Sequence, residues 1–168
     1  AQASAFNLSQ SPEYGDRTVM DHWILSELNT LITEVDDAYS HFDSQRAGKA
    51  LATFIDDLSN WYVRRSRRRF WDGDAAALAT LHECLTTLTQ LLAPMVPFIS
   101  EDVWQKLVRV ADSDSALSVH LTDFPVADSS RIHRDLNAQV QMTRRIVELG
   151  RSARAESGIK VRQPLGRA

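Results

Sequence analysis

Apolar residues recur along this chain at intervals of three, four and seven, which is the period of one face of an α-helix. Met20, Ile24, Leu28, Leu31, Val35 and Phe42 make the first stripe, and Asp16 is placed to cap a helix running to about His41. Asp43 or Ser44 can cap a second helix from about Gln45 to Phe70, with Ala47, Leu51, Phe54, Ile55, Leu58 and Tyr62 on one side. Asp72-Gly73-Asp74 breaks the chain, and Leu78, Leu81, Leu85, Leu88 and Leu92 mark a third helix. Pro94 and Pro97 end it, because each removes a backbone donor and restricts the residue before it. A fourth helix opens at Ser100-Glu101-Asp102 and buries Val103, Trp104, Leu107 and Val108. A fifth, about Ser130 to Ala155, carries Ile132, Leu136, Val140, Thr143 and Val147. Ser118-Val119-His120-Leu121 reads as an extended piece, and Ile159-Lys160-Val161-Arg162, after Gly158, alternates like the start of a strand.

Five amphipathic helices with mostly short connections predict an all-α fold, an antiparallel helical bundle of about five helices. The expected organisation is an irregular lead-in over 1–15, the bundle over 16–157, and the start of a following C-terminal segment over 158–168. A chain of 168 residues suits one core. No apolar run reaches the ~20 residues of a membrane span, and Ala1–Gln10 lacks a signal pattern, so no membrane partner is expected. A single cysteine, Cys84, excludes an internal disulfide framework; the expected location is the cytoplasm.

Catalytic chemistry is not legible. There is no glycine-rich phosphate loop, no two carboxylates in an evident acid–base pairing and no assembled nucleophile. His82-Glu83-Cys84 sits on adjacent helix positions that point apart, so a surface histidine and a half-buried cysteine are expected there, with no metal. The charge pattern says more. Net charge is −3, but it is distributed as −7 over 1–63, +5 over 64–71, −7 over 72–130 and +6 over 131–168. Two basic islands in an acidic chain point to directed binding of an anionic partner.

The stretch Asp56-Asp57-Leu58-Ser59-Asn60-Trp61-Tyr62-Val63-Arg64-Arg65-Ser66-Arg67-Arg68-Arg69-Phe70-Trp71 closely resembles a signature of the isoleucyl-tRNA synthetases, a class I family. Asp21-His22-Trp23-Ile24-Leu25-Ser26-Glu27-Leu28-Asn29 is similar to the family's first bundle helix. Leu92-Ala93-Pro94-Met95-Val96-Pro97-Phe98-Ile99-Ser100-Glu101 is similar to its third-to-fourth helix turn. Ser118–Pro125 and Gly158–Leu165 match two further segments, in order. Valyl and leucyl enzymes share the bundle and the proline turn; the arginine-rich stretch and Gly158–Leu165 favour the isoleucyl member.

The resemblance implies the anticodon-binding helical domain of an enzyme that joins L-isoleucine to its tRNA. No catalytic residue and no cofactor are expected in this piece, since the two ATP-site signatures are absent; ATP with Mg²⁺ is implied for the full-length enzyme. The implied partners are isoleucine tRNA and the catalytic domain of the same longer chain. A free-standing helical scaffold that binds a protein through its basic surfaces is the rival reading. Candidate tRNA contacts are Arg64, Arg65, Arg67, Arg68 and Arg69 in the first island, and Arg144, Arg151, Arg154, Lys160 and Arg162 in the second. At about 100° per residue, Leu51, Leu58 and Arg65, then Tyr62 and Arg69, fall on one stripe, so Arg65 and Arg69 are expected to be sheltered or paired and Arg67 exposed. Helix one spans roughly 35 Å. The returning second helix therefore carries the arginines back to its starting end, where tRNA phosphate, the catalytic domain and plain solvent are all open as their surroundings. Trp61, Phe70 and Trp71 are expected to pack within the bundle rather than stack on bases.

Overall fold

The computed structural model describes residues 12–164, and among these every regular element is helical. The elements are α1 (Val19–Ser40), α2 (Ser44–Asp56), a π-helical segment (Asp57–Val63), α3 (Arg64–Trp71), α4 (Ala75–Leu92), α5 (Pro97–Ala111) and α6 (Arg134–Glu156). From α2 through α3 the chain winds without a break, so the expected all-α bundle of about five helices is what forms. No helix among the described residues is long and apolar enough to cross a membrane. Contacts divide the chain into two units, at His133 and Arg134. The division falls inside the stretch 16–157 that the sequence reading treats as one domain.

In the first unit α1 is the axis. It packs against α2, the π segment, α4 and a 3-10 turn at Ser129–Arg131. Its buried set is accordingly wider than one stripe: Trp23, Ile24, Leu25, Leu28, Leu31, Ile32, Val35 and Ala38. Burying a large side chain of this kind contributes about 1.5–3 kcal/mol. Two polar residues on α1 hold the long connection after α5. Asn29 accepts from the Asp128 backbone N–H (2.8 Å), and the Ser26 hydroxyl accepts from that of His133 (2.7 Å). A smaller core joins Ala93, Trp104, Val108 and Val119, with the Trp104 indole donating to Ala116 O at 2.9 Å.

Several expected boundaries move. Asp16 lies in a short 3-10 turn, and Thr18 caps α1 through a reciprocal box with Asp21, which satisfies two donors at once. α5 starts at Pro97, whose fixed φ suits a first helical position, and Ser100 is buried inside the helix instead of capping it. Val119–Leu121 is a 3-10 turn, not an extended piece; Glu101 draws it in by accepting from the Ser118 hydroxyl (2.7 Å) and the Val119 N–H (3.2 Å). The deepest face of α4 is Ala77, Thr80, Cys84, Leu88 and Leu91, while Leu78, Leu81, Leu85 and Leu92 are only half-buried. Cys84 is thus fully buried, not half-buried, and burial pushes its thiol pKa up. His82 is half-buried, and burial pulls its pKa down.

The second unit is α6 with its C-terminal turn, and none of the described α6 residues is fully buried. Ile159–Arg162 forms no strand. Gly158, at φ 66°, closes the helix through Gly158 N–H to Ala155 O (3.1 Å) and Ile159 N–H to Arg154 O (2.8 Å). Arg154 then holds the turn by donating to Lys160 O and Gln163 O.

The turn after α1 closes with the same hydrogen-bond pattern, but its left-handed residue is Phe42, at φ 56°. Phe42 is therefore not on the core stripe, and is 96% exposed. A bulky residue in this region costs about 1–2 kcal/mol, and its ring recovers nothing by packing. Glycine relieves that strain but adds about 0.5–1 kcal/mol of unfolded-chain entropy. Phe42→Gly is therefore expected to raise stability by about 0.5–1 kcal/mol in urea unfolding at constant slope; a loss of stability would show that the ring is held by contacts.

Candidate nucleic-acid interface

The sequence DLSNWYV occupies a π-helical segment directly before the arginines. Its i→i+5 hydrogen bonds widen the turn, so each later residue lags behind the α-helical phase. After Leu58 and Tyr62 the next core position is Ser66, 2% exposed, rather than Arg65. Arg65 is exposed, against the expectation, and has no carboxylate partner among the described residues. It lies over the half-buried Trp61 ring, 4.1 Å from the centroid. Arg64, Arg67 and Arg68 are exposed too, and Arg68 is loosely paired with Asp72 at 3.7 Å. Trp71, expected in the core, is 79% exposed at the end of α3, while Phe70 packs edge-on against Tyr62. Arg64, Arg65, Arg67, Arg68 and Trp71 line one shallow surface depression.

Arg69 behaves differently. Its guanidinium donates twice to the Asp21 carboxylate, both at 2.8 Å, and through Nε to Asp74 at 2.7 Å. Sheltered and paired, it meets the expectation made for it, and its donors are spent inside the protein. Asp21 is fully buried on α1. Besides Arg69 it accepts from the Tyr62 hydroxyl at 2.6 Å and from the Thr18 N–H and hydroxyl. Burial pushes the Asp21 pKa up, but the hydrogen bonds from Arg69, Tyr62 and Thr18 outweigh it and hold the group at about 2. The same contacts with Asp21 raise the Arg69 pKa, and burial followed by the Asp21 bond raises that of Tyr62. Nothing in the arginine run announced Asp21. Its signal was a capping box, Thr18-x-x-Asp21, with the carboxylate placed beside the buried run Trp23–Leu25.

A second ion cluster lies nearby. Glu83 on α4 accepts from Arg17 and from Arg131, each at 2.7 Å, and Arg131 covers the Tyr14 ring. Arg131, part of the second basic island by sequence, is thus committed within the first unit.

The remaining candidates belong to the second unit. Arg144 and Arg154 are half-buried, whereas Arg151, Lys160 and Arg162 are exposed. Arg144 and Arg151 sit two turns apart on α6 with Arg154 one turn further on, and Lys160 and Arg162 follow the helix end. Each unit therefore presents its own basic surface.

Over residues 21–168 the chain matches the family described as the anticodon-binding domain of tRNA ligase. The chain belongs to this family. It is 57% identical to the isoleucine–tRNA ligase of Streptomyces avermitilis over 94% of its length, and 58% identical to that of Thermobifida fusca over 96%. The isoleucine–tRNA ligase of Dehalococcoides mccartyi is 45% identical over 98%. The chain spans only 15–17% of the length of these relatives. In this anticodon-binding domain the π segment turns Arg65 outward, and the Asp21 contact holds Arg69 inward.

Asp21 contributes one part of the acid response of the domain. A carboxyl held at about 2 and ordinarily near 3.8 adds stability that is fully present above pH 4 and lost as pH falls through 2. The amount is about 2 kcal/mol. Urea unfolding between pH 5 and 2 is expected to show this acid-side loss in the wild type and a flatter profile in Asp21→Asn. Identical pH profiles would mean that Asp21 titrates alike in both states.

Proposed function

We propose that this chain is the tRNA-docking part of an isoleucine–tRNA ligase, the enzyme that joins L-isoleucine to its tRNA using ATP. The observation that carries this reading is the 57% identity over 94% of the chain to proteins bearing that name. The structure supplies a physical basis: two surfaces rich in guanidinium groups on a domain with net charge −3. Acidic stretches repel a polyanion except where such a surface faces it, which orients the tRNA without holding it tightly. Isoleucine tRNA and the catalytic domain of the same longer chain are the partners, and the cytoplasm is the place of action. ATP and Mg²⁺ belong to the aminoacylation reaction of the whole ligase. We assign them to parts of the ligase outside these residues.

We infer a direction of docking from the two ends of the first unit. Arg69 and Asp21 mark the end where α1 begins. The opposite end holds the exposed Phe42 and the α4–α5 turn, with Phe98 90% exposed, and Met95 close against Gly48 of α2. About 33 Å of α1 separates the two ends. The anticodon loop meets the aromatic end, and the arginine end takes a part of the tRNA nearer its inner corner.

Phosphate contacts predict a steep salt dependence. With three to five arginines engaged, log affinity for isoleucine tRNA should fall against log salt with a slope of about −3 to −4. The triple variant Arg64→Gln, Arg67→Gln, Arg151→Gln should bind cognate and non-cognate tRNA more weakly by the same factor. Its slope should be flatter by about 2–3 units, because phosphate contacts position without specifying. Filter binding across a salt series measures both quantities. An affinity independent of salt, or discrimination between tRNAs carried by these arginines, contradicts the assignment.

A further inference from the structure

We propose that Trp71, with Arg64, Arg67 and Arg68, forms a binding site for a single unpaired nucleotide of the docked RNA, the base stacking on the indole and its phosphates meeting the guanidinium groups. The proposal rests on the tRNA-docking reading above and adds a kind of contact that paired stems cannot supply. In a duplex the base faces are occupied by their neighbours, so a stem offers an arginine surface only phosphate and sugar. An exposed indole between guanidinium groups suits a base whose face is open.

Helical spacing builds the site. Arg67 and Arg68 stand four and three residues before Trp71, and Arg64 stands four before Arg68, so the four side chains are neighbours on one helix surface. They line one depression with Arg65. Trp71 has most of its ring in water at 79% exposure, whereas Trp23 and Trp104 are buried. Arg65 already lies on the Trp61 ring, which shows how the same surface accepts a flat cation on an indole and leaves Trp71 as its uncovered ring. Charge favours an anionic ligand: Arg64 and Arg67 have no carboxylate within ion-pair distance among the described residues, and Arg68 has only Asp72 at 3.7 Å. A protein partner needs carboxylates or apolar groups against this surface. RNA satisfies the ring and the cations together.

The π segment is the positioning device. Without its extra residue per turn, Arg65 would fall on the core line now held by Ser66, and the cations around Trp71 would rotate with it. The Asp21–Arg69 contact fixes α3 in the rotated phase.

The test combines affinity with Trp71 emission, using Trp71→Phe and Trp71→Ala; both act at an exposed position, and circular dichroism checks their folding. Trp71→Ala should weaken binding of isoleucine tRNA about 5- to 100-fold at every salt concentration, leaving the salt slope unchanged. Trp71→Phe, which keeps a stacking face, should stay within about threefold of wild type. A short single-stranded RNA should quench the emission that Trp71→Phe removes, and a blunt RNA duplex of equal charge should not. Wild-type affinity in Trp71→Ala, with Arg64→Gln and Arg67→Gln weakened, would overturn the nucleotide site and leave phosphate docking standing. If tRNA binding is indifferent to all these variants, the surface meets protein from the rest of the ligase, and the proposal fails while tRNA docking survives. No tRNA binding by the wild type, at any salt, would remove both.

Discussion

A fully buried carboxylate organises one end of this domain. Placing Asp21 in the interior costs several kcal/mol unless its charge and lone pairs are met, and Arg69, Tyr62 and Thr18 meet them together. Those partners come from three places in the sequence: the cap of α1, the π segment and α3. Asp74, the cap of α4, closes the set by accepting from Arg69 Nε and from the Ala77 N–H. Hydrophobic burial holds the helices near one another; this network sets how they are rotated and where they end. The helix-packing core is non-directional, whereas a bidentate guanidinium–carboxylate pair accepts one geometry.

The π segment and the Asp21 network solve one problem jointly. Five arginines in eight residues cannot all be kept off the core line of a regular helix. The widened turn puts Ser66 on that line, and the network absorbs Arg69, the arginine that still faces inward. The other four are released to one surface beside Trp71. π segments cluster where function bends regular structure, and here the functional consequence is the direction of the cations.

Much of this was legible from sequence. The apolar periods of α1, α2 and α4 gave the all-α fold, the glycines at 73 and 158 ended their helices through left-handed caps, and the charge map located both basic islands. Rotation about a helix axis was the weak point, because it rests on an assumed step of about 100° per residue. A π segment breaks that assumption without any compositional mark in Asp57–Val63, so Arg65 and Trp71 were placed inward. Asp21 was missed for a different reason. A carboxylate near a helix start reads as a dipole or capping group, and its burial is decided by Arg69, 48 residues away. Phe42 was assigned to the core by period alone, although its place just past the helix end sends the ring into solvent.

Asp21 and Arg69 act as a unit that fixes α3 against α1. A double-mutant cycle in urea unfolding measures this, using Asp21→Asn, Arg69→Gln and both together. Arg69→Gln should cost about 3–5 kcal/mol, because it leaves the buried Asp21 charge without its cation, and Asp21→Asn should cost less, because Arg69 keeps Asp74 as a partner. The double substitution should cost little more than Arg69→Gln alone, giving a coupling energy of at least about 2 kcal/mol. Additive losses, with no coupling between the two positions, would contradict the account.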